Sequence, residues 1–586
     1  MKLSIKKLSC MALLVAMTMM QTSCDELLGE TDNPAPPVTD VTLNETTLEM
    51  VYGIGKEVTL EATVSPEDYD ITWSSSDESV ATVDDEGVVH AVGAGTAVIT
   101  AKAGSKKATC DVSVVINLET PLTFEAAVDG ANVKFKKFYD DIVAPNVEYS
   151  LDGGITWKDD LTAAGVTLAS AGDKISFRGT NEAYGSISYD DCYRFELSDE
   201  TYVYGNVMSL INKDNYPTNK TLTADYAFKG MFGEQTSLKN KDADHQIYLP
   251  ATTLTEDCYN WMFTACQSLT TAPQLPATTL KKRCYRFMFT DCKNLTTAPE
   301  LPATTLAEAC YENMFAGSNL TSAPKLPATE MKKECYHWMF SNCENLTSAP
   351  EKLPATTLAK ACYESMFAGS NLTSAPKLPA KTLAENCYDG MFDGCTSLTT
   401  APELPAKTLA EGCYENMFSW CESLTTAPEL PATTLAEKCY NSMFSFCKNL
   451  TTAPELPATE MKKKCYSSMF WGCENLTTAP ELPAESLAEH CYNSMFYGCK
   501  KLSSVTCKAT DFSTYYCLIE WLVDAGTDES VTSKTFYISS AYSAYIADMN
   551  SNLEGTADDA QINTNVPWVK GINGIPAGWT IATAAE

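Results

Sequence analysis

The chain has 586 residues, of which 45% are hydrophobic and 20% are charged, and this composition predicts an ordered protein of several domains. The formal net charge of −33 argues against a nucleic-acid partner, because phosphate binding needs clustered Lys and Arg, and here Asp and Glu outnumber them 75 to 42. The 24 cysteines raise the question of disulfides, which the spacing of the cysteines addresses below.

Residues 1–23 have the pattern of a signal peptide. Lysines supply a positive start, and residues 8–20 supply an apolar core that is too short to span a bilayer. The segment ends in Gln-Thr-Ser-Cys, which resembles a lipoprotein lipobox with Gln21 in place of the usual Leu. The resemblance implies lipidation of Cys24. The alternative is an ordinary secretion signal followed by an incidental cysteine.

Residues 24–38 are predicted to be a tether, acidic at first and then rich in proline, which keeps a chain extended. Acidic residues directly after the cysteine resemble the export tag of surface lipoproteins in some Gram-negative anaerobes, although a solvated tether explains them equally simply. Elsewhere the sequence has no segment that is long and apolar enough to cross a membrane. We therefore expect an outer-membrane lipoprotein that is exposed at the cell surface and held by its lipid.

Residues 39–116 alternate Val- and Thr-rich runs with Gly, Asp and Ser turns, which predicts β structure. The runs Ile71-Thr-Trp-Ser-Ser-Ser-Asp and Gly93-Ala-Gly-Thr-Ala-Val-Ile-Thr100 closely resemble a bacterial immunoglobulin-like group 2 domain, with Trp73 as the expected core aromatic. Such domains lift a binding module off the surface or act as spacers. Residues 117–200 contain further short strand patterns and are predicted to form a second β-sandwich.

Residues 201–502 are predicted to form a solenoid. A pattern of about 26 residues recurs about ten times, and a fixed period in this range is typical of stacked repeats. One repeat cannot bury enough apolar surface to offset the entropy of ordering its residues, so stability must come from stacking. Residues 226–232 are a degenerate first copy, as expected of an N-terminal cap. The first cysteines of the copies are Cys258, Cys284, Cys310, Cys335, Cys362, Cys387, Cys413, Cys439, Cys465 and Cys491.

Each repeat is predicted to contain a strand, a turn and a helix of about three turns. The Leu-Thr-Thr-Ala-Pro segment is compatible with a strand and ends at a proline, which cannot donate to a continuing ladder. Thr305 and Glu308 have the spacing of a helix capping box, and the pattern recurs in other copies. After this box, apolar residues follow helical spacing, for example Leu280, Cys284, Met288 and Cys292.

The pattern Cys-x-Asn-Leu-Thr-x-Ala-Pro-x-Leu-Pro, followed by Tyr-x-x-Met-Phe-x-x-Cys, resembles the leucine-rich repeats of BspA-like bacterial surface proteins over about half of the chain. The resemblance implies host matrix proteins as ligands. The predicted fold is multi-domain: two N-terminal β-sandwiches followed by an α/β leucine-rich-repeat solenoid. A small C-terminal cap region is expected at residues 503–586, where the period fails.

Two rows of cysteines run through the repeats, as with Cys258 and Cys266. If these were bonded pairs, loss of one would remove the other, yet Ser318 and Ser370 stand near the second place in repeats that keep the first cysteine. Buried thiols therefore fit the sequence better than an obligatory disulfide framework. Zinc is disfavoured because no Cys-x-x-Cys or paired histidine is present, and no metal or cofactor is expected.

The sequence offers no catalytic pattern, and we expect a protein that is not an enzyme. Its four histidines are scattered, and no His-x-x-x-His, Gly-x-Ser-x-Gly or phosphate-loop motif occurs. Asp84 with Asp85, and Asp242 with Asp244, are expected in turns as solvated acids, with a weak calcium site as the alternative.

Binding specificity must come from the few positions that vary between repeats, and aromatic residues at these positions suit recognition of protein or sugar. The alternative is that the aromatic rings only cover seams between helices. The favoured partner is a host extracellular-matrix or cell-surface protein, and the alternative function is glycan capture for an uptake system. The candidate ligand-binding residues are Trp261, Phe287, Trp338, Trp420, Phe446, Trp471 and Tyr497.

Overall fold

The computed structural model describes residues 38–52, 57–67, 69–93, 95–116, 118–512, 514, 516–551, 575–576 and 578–584. The predicted signal peptide, Cys24 and the tether up to residue 37 lie outside these residues. The described chain divides into one compact unit up to residue 115 and a second from residue 116 onward. A search of the described residues for an apolar helix of membrane-spanning length found none.

The first unit is built entirely of short strands in its described part. They form a two-stranded sheet (β1-β4), a four-stranded sheet (β2-β9-β8-β5) and a three-stranded sheet (β3-β7-β6). Trp73, the predicted core aromatic, is half-buried and packs against both apolar clusters of this unit. The strands are β1 Asp40–Leu43, β2 Thr47–Tyr52, β3 Val58–Thr59, β4 Ala62–Ser65, β5 Thr72–Ser75, β6 Ala81–Val83, β7 Val88–Ala91, β8 Gly95–Ala103 and β9 Lys106–Ile116.

The second unit begins with two sheets that pack face to face. One has the order β12-β14-β10-β16, and the other has the order β13-β11-β15. Phe124 from the first sheet contacts Phe195 from the second, with ring centroids 4.5 Å apart. The strands are β10 Leu122–Ala126, β11 Asn132–Lys137, β12 Val147–Ser150, β13 Val166–Thr167, β14 Lys174–Gly179, β15 Tyr193–Leu197 and β16 Thr201–Asn206, followed by a 3-10 helix, Val207–Leu210.

The core of this sandwich continues into the repeats without a break. The ring of Phe195 stacks on that of Phe232 in the degenerate first repeat, with centroids 5.6 Å apart. In addition, β16 extends the sheet by pairing in parallel with β17 (Leu238–Lys239) and β18 (Ile247–Tyr248). The sandwich therefore covers the apolar end of the solenoid, which would otherwise face solvent.

The repeats are chains of consecutive turns, and the predicted helix of three turns is wrong. We number positions in each repeat from its first cysteine, position 0. The residues at positions −1, 3 and 7 have a left-handed backbone, with φ between +50° and +71° in all ten copies. An α-helix requires φ near −63° at every residue, so the Thr305–Glu308 pair caps no helix. The only α-helix in the described residues is α1 (Ile546–Ser551), which follows a 3-10 helix at Ser540–Tyr545.

Alternate backbone N–H groups in each repeat donate to the next repeat instead of to the residue four places back. The N–H groups of Tyr285 and Phe289 reach the carbonyls of Cys310 and Met314, at 3.0 and 2.8 Å. Between them, the N–H of Met288 closes a turn on the carbonyl of Tyr285, at 3.3 Å. Every repeat therefore relies on its neighbour for half of the hydrogen bonds in this segment.

Two aromatic ladders fill the interior of the solenoid. The Tyr rings at position 1 stack from Tyr259 to Tyr492, with centroids between 5.6 and 6.0 Å apart. The Phe rings at position 5 stack from Phe263 to Phe496, at 5.5 to 5.9 Å. The prediction that the repeats stack through a shared core is confirmed. The predicted Leu-Thr-Thr-Ala-Pro strands are reduced to isolated parallel bridges, such as the one between Thr426 and Thr452.

The cysteines are buried thiols. All 22 described cysteines are free and buried, as the serine replacements indicated. At position 8 the thiol donates to the carbonyl of the Phe in the preceding repeat, for example Cys447 to Phe418 at 3.1 Å. Ser318 occupies the same place, with its Oγ 3.5 Å from the Sγ of Cys343. Burial raises the pKa of Cys343 to about 11, which keeps the thiol protonated and unreactive.

The solenoid continues past residue 502, although the repeating sequence pattern is lost there. The N–H groups of Tyr492 and Phe496 donate to the carbonyls of Cys517 and Trp521, at 3.0 and 2.8 Å, so a degenerate further repeat stacks on the tenth. The predicted C-terminal cap region also extends a parallel sheet. Its strands are β19 Glu481–Leu482, β20 Ser504–Cys507, β21 Thr535–Ile538 and β22 Thr580–Thr583.

The Phe ladder provides a test of stacking. Phe392 is fully buried between the rings of Phe367 and Phe418. Phe392→Ala should lower the free energy of unfolding by about 3–5 kcal/mol, measured by denaturant unfolding. Trp338→Ala is the control, because that ring is 43% exposed and its loss should change stability by less than about 1 kcal/mol. Equal losses in the two variants would contradict the ladder's role.

Candidate binding surface

The seven aromatic candidates occupy outward positions of the repeats. Positions 0, 1, 4, 5 and 8 turn inward to fill the core, and the side chains at positions 3, 6 and 7 line up in columns nearer the outside, one from each repeat. Because the predicted helices are absent, the seams that these rings cover lie between successive repeats and not between helices. Trp261, Phe287 and Trp338 stand at position 3, Trp471 and Tyr497 at position 6, and Trp420 and Phe446 at position 7.

Four of the rings form a continuous aromatic column across four consecutive repeats: Trp420, Phe446, Trp471 and Tyr497. Trp420 stacks on Phe446, with centroids 4.1 Å apart and planes within 14°. Phe446 meets Trp471 at 5.3 Å, and Trp471 meets Tyr497 edge-on at 5.7 Å. Trp420 and Trp471 remain 44% and 38% exposed. The column therefore presents a line of rings whose positions are already set by their mutual contacts.

The backbone beneath the column argues for a role in binding. Five other repeats have Gly at position 7, where a left-handed backbone suits Gly. Trp420 and Phe446 hold this conformation with φ of +58° and +56°, at an expected cost of roughly 1–2 kcal/mol each. The Phe446 ring also covers Gly472, where an added Cβ would lie 2.7 Å from the ring's Cδ1. Folding alone does not require these two rings.

The polar residues beside the aromatic column carry little net charge. Lys448 pairs with Glu422 at 2.6 Å, and Lys500 pairs with Glu474 at 3.0 Å. The Lys448 ammonium also lies 5.8 Å from the Trp420 ring centroid. Position 3 of the same four repeats holds small neutral residues, namely Asn416, Ser442, Ser468 and Ser494.

The other three candidates do not join this column. Trp261 contacts Phe287 at 5.8 Å and the sandwich residue Tyr189 at 4.8 Å, so these rings help to join the sandwich to the first repeats. Trp338 packs on the ring of His337, with centroids 4.6 Å apart. Sequence reasoning grouped all seven because it identified the variable positions but could not show which rings touch.

A seam of half-buried carboxylates runs beside the Tyr ladder at position 2, and sequence reasoning missed it. Glu364, Asp389 and Glu415 follow one another in three consecutive repeats. Burial raises the pKa of Asp389 to about 7, and the negative charge of Glu415 adds to this rise. Asn416 acts in the opposite direction, because it donates a hydrogen bond to the Asp389 Oδ1 at 3.3 Å. The signal was the run of acidic residues at one repeat position.

No metal centre emerges from the described residues, in which no group of three or more His, Cys, Asp or Glu is arranged to hold an ion. At the place of the alternative calcium site, Asp242 instead contacts a histidine, with its Oδ1 2.6 Å from the Nδ1 of His245.

Comparison with known proteins identifies two kinds of domain. A family model for the bacterial Ig-like domain (group 2) matches residues 37–112. A model for the BspA type leucine rich repeat region (6 copies) matches residues 225–347, 256–399, 312–450 and 411–518, which together cover half of the chain. An alpha-L-arabinofuranosidase from Bifidobacterium longum subsp. longum is 34% identical over 174 residues, or 28% of this chain. The match spans only 15% of that relative's length.

The acidic seam predicts a pH-dependent stability. Because the pKa of Asp389 is about 7 in the fold against an ordinary value of 3.8, the fold favours the protonated acid. Stability is therefore full below pH 4 and falls as the pH rises from 4 through 7. Asp389→Asn should remove this loss, so that the variant is about 4 kcal/mol more stable than the parent at pH 8 and similar to it at pH 4.

Denaturant midpoints measured from pH 4 to pH 8 check this expectation. Asp291→Asn is the control, because Asp291 is exposed and its variant should keep the parent's pH dependence. A steep loss of stability between pH 4 and 7 that persists in Asp389→Asn would show that another group is responsible.

Proposed function

The chain belongs to the BspA-type leucine-rich-repeat family, and from this membership we propose that it is a non-enzymatic surface protein that adheres to host or neighbouring cells by binding their proteins. BspA-type repeats have a surface protein-interaction role, and the Ig-like and repeat domains are non-catalytic kinds of domain. The partial likeness to an arabinofuranosidase does not extend to most of that enzyme.

The observation that carries the proposal is the aromatic column. Exposed Trp and Tyr side chains are the residues that most often dominate binding energy in protein interfaces. Here they are held against each other before any partner arrives, so binding loses less side-chain entropy than it would with isolated rings. The charges beside the column are paired with each other. The column therefore suits a partner that binds by burying the rings better than a partner that is attracted by net charge.

The proposed location follows from the N-terminal sequence. A lipid on Cys24 would anchor the chain to the outer membrane, and the tether and Ig-like domain would raise the repeats above the surface. The partner would then be a host extracellular-matrix or cell-surface protein.

A second candidate function is glycan capture at the same column. Exposed aromatic rings also stack on sugars, and one relative bears the name of an enzyme that acts on arabinofuranosides. The two functions differ in the immobilised ligand to which the purified protein binds. The first function predicts binding to matrix proteins and mucin, and the second predicts binding to a polysaccharide on a glycan array.

Removing the exposed rings tests the proposal. Trp420→Ala with Trp471→Ala should weaken binding to the immobilised protein by at least about a hundredfold, since loss of a hot-spot residue typically costs about 2 kcal/mol or more. Surface plasmon resonance measures the change. Trp338→Ala is the matched control, a Trp of similar exposure outside the column, and its affinity should stay within about twofold. Unchanged affinity in the double variant, or silence across the whole protein panel, would contradict the proposal.

The anchor is tested separately. Cys24→Ser should abolish incorporation of a labelled fatty acid and release the protein from the membrane fraction, because the proposed lipid would be attached to the sulfur of this cysteine. Labelling that persists in the variant would contradict lipidation at this residue.

A further inference from the structure

The first repeat contains an insertion that the others lack. Successive first cysteines are 25 to 27 residues apart, but Ala227, which takes the cysteine's place in the first repeat, is 31 residues from Cys258. The equivalence of these places is shown by the N–H of Phe228, which donates to the Cys258 carbonyl at 2.8 Å, as Tyr259 does to Cys284. Insertions in repeat proteins often form loops at the binding face.

The extra residues lie in the loop 240–246, between two strands that pair with the same neighbour. β17 pairs with the start of β16 and β18 pairs with its end, so the chain leaves the sheet between them and returns. The loop rises beside Tyr204 of β16 and borders an open cavity of about 680 Å³. Besides this loop, β14, β16 and residues 119–123 line the cavity.

The loop is held in one conformation by Asp242 and Lys241. The Asp242 Oδ1 accepts hydrogen bonds from the N–H groups of Asp244 and His245, both at 3.0 Å, and contacts the His245 Nδ1 at 2.6 Å. The His245 ring packs edge-on against Tyr204, with centroids 4.7 Å apart. Since Asp242 engages Nδ1, Nε2 is the imidazole nitrogen left to meet a ligand.

The wall behind Tyr204 is a charge cluster of one carboxylate and two lysines. The buried Glu125 carboxylate accepts from the Tyr204 hydroxyl at 3.0 Å and from Lys241 at 2.8 Å, with Lys174 at 3.5 Å. Lys241 belongs to the inserted loop, so this ion pair ties the loop to the sandwich. Glu125 is shared between Lys241 and Lys174, so it does not cancel the charge of Lys174, which lines the cavity.

The hydroxyl groups on the opposite side have defined roles. The Thr123 hydroxyl donates to the Pro121 carbonyl at 2.8 Å, so the Ser176 hydroxyl, 2.8 Å from Thr123 Oγ1, must be the donor in that pair. The Ser176 oxygen therefore offers its remaining lone pair to the cavity as an acceptor.

We propose that this cavity binds a neutral saccharide unit. Sugar hydroxyls need donors and acceptors beside an aromatic surface. Ser176 and His245 supply the polar groups, and the partly exposed His245 ring, which packs on the buried Tyr204, supplies the aromatic surface. An anionic ligand would meet the carboxylates of Glu119 and Asp244, which also line the cavity, and a cationic ligand would meet Lys174. The site is distinct from the aromatic column and does not depend on the proposed function.

Saturation-transfer difference NMR on the purified chain tests the proposal, with free neutral pentoses, hexoses and their disaccharides as probes. Uronic acids and short peptides form separate arms. We expect saturation transfer to at least one neutral sugar. The affinity for that sugar should fall about tenfold in His245→Ala. A smaller loss is expected in Ser176→Ala, which serves as a second variant if the first does not fold. His490→Ala, in a distant repeat, is the control and should bind as the parent does.

The double variant of Trp420 and Trp471 should keep the saccharide signal, which separates this site from the aromatic column. Three outcomes overturn the proposal: no transfer to any neutral sugar, transfer only to uronic acids or peptides, or a signal that survives in both cavity variants.

Discussion

The structure depends on one set of hydrogen bonds, those between alternate backbone N–H groups of one repeat and the carbonyls of the next. They replace the internal bonds that a helix would make, so an isolated repeat would leave half of these groups unpaired in an apolar interior. These bonds fix the distance between successive repeats, and the Tyr and Phe ladders and the buried thiols fill the interior at that spacing. The degenerate repeats at both ends exist for the same reason, since the outermost repeats must also be paired.

This dependence separates residues that maintain the array from residues that are free to vary. Positions 0, 1, 4 and 5 are locked by stacking, and position 8 accepts only Cys or Ser in the ten copies. Function must therefore reside in departures from the pattern. Two rings of the aromatic column, Trp420 and Phe446, stand where five other repeats have Gly, and the cavity at His245 arises from the repeat with extra residues. Both features are irregularities that a purely structural array would not need.

Sequence reasoning predicted the period, the stacking, the free thiols and the kinds of domain, because each depends on residue identity repeated many times. It wrongly predicted a helix in each repeat. The apolar residues at positions 0, 1, 4, 5 and 8 recur every four residues, and over nine residues a period of four cannot be distinguished from the helical period of 3.6. It also missed the pairing of Asp242 with His245, the acidic seam at Asp389 and the repeat at Cys517. These features depend on contacts between neighbouring parts of the backbone, which the sequence does not show. The long spacing before Cys258, which marks the inserted loop, was nevertheless visible in the sequence.

Hydrogen exchange followed by mass spectrometry on the native chain tests the central claim most directly. If repeats share their hydrogen bonds, the segments from position 1 to position 5 of the central repeats, Cys310 to Cys465, should exchange slowly and open together, in one cooperative unit. The amides of the exposed Glu residues that follow Ala-Pro should exchange fast. Central repeats that open one at a time, each at a rate of its own, would contradict the account.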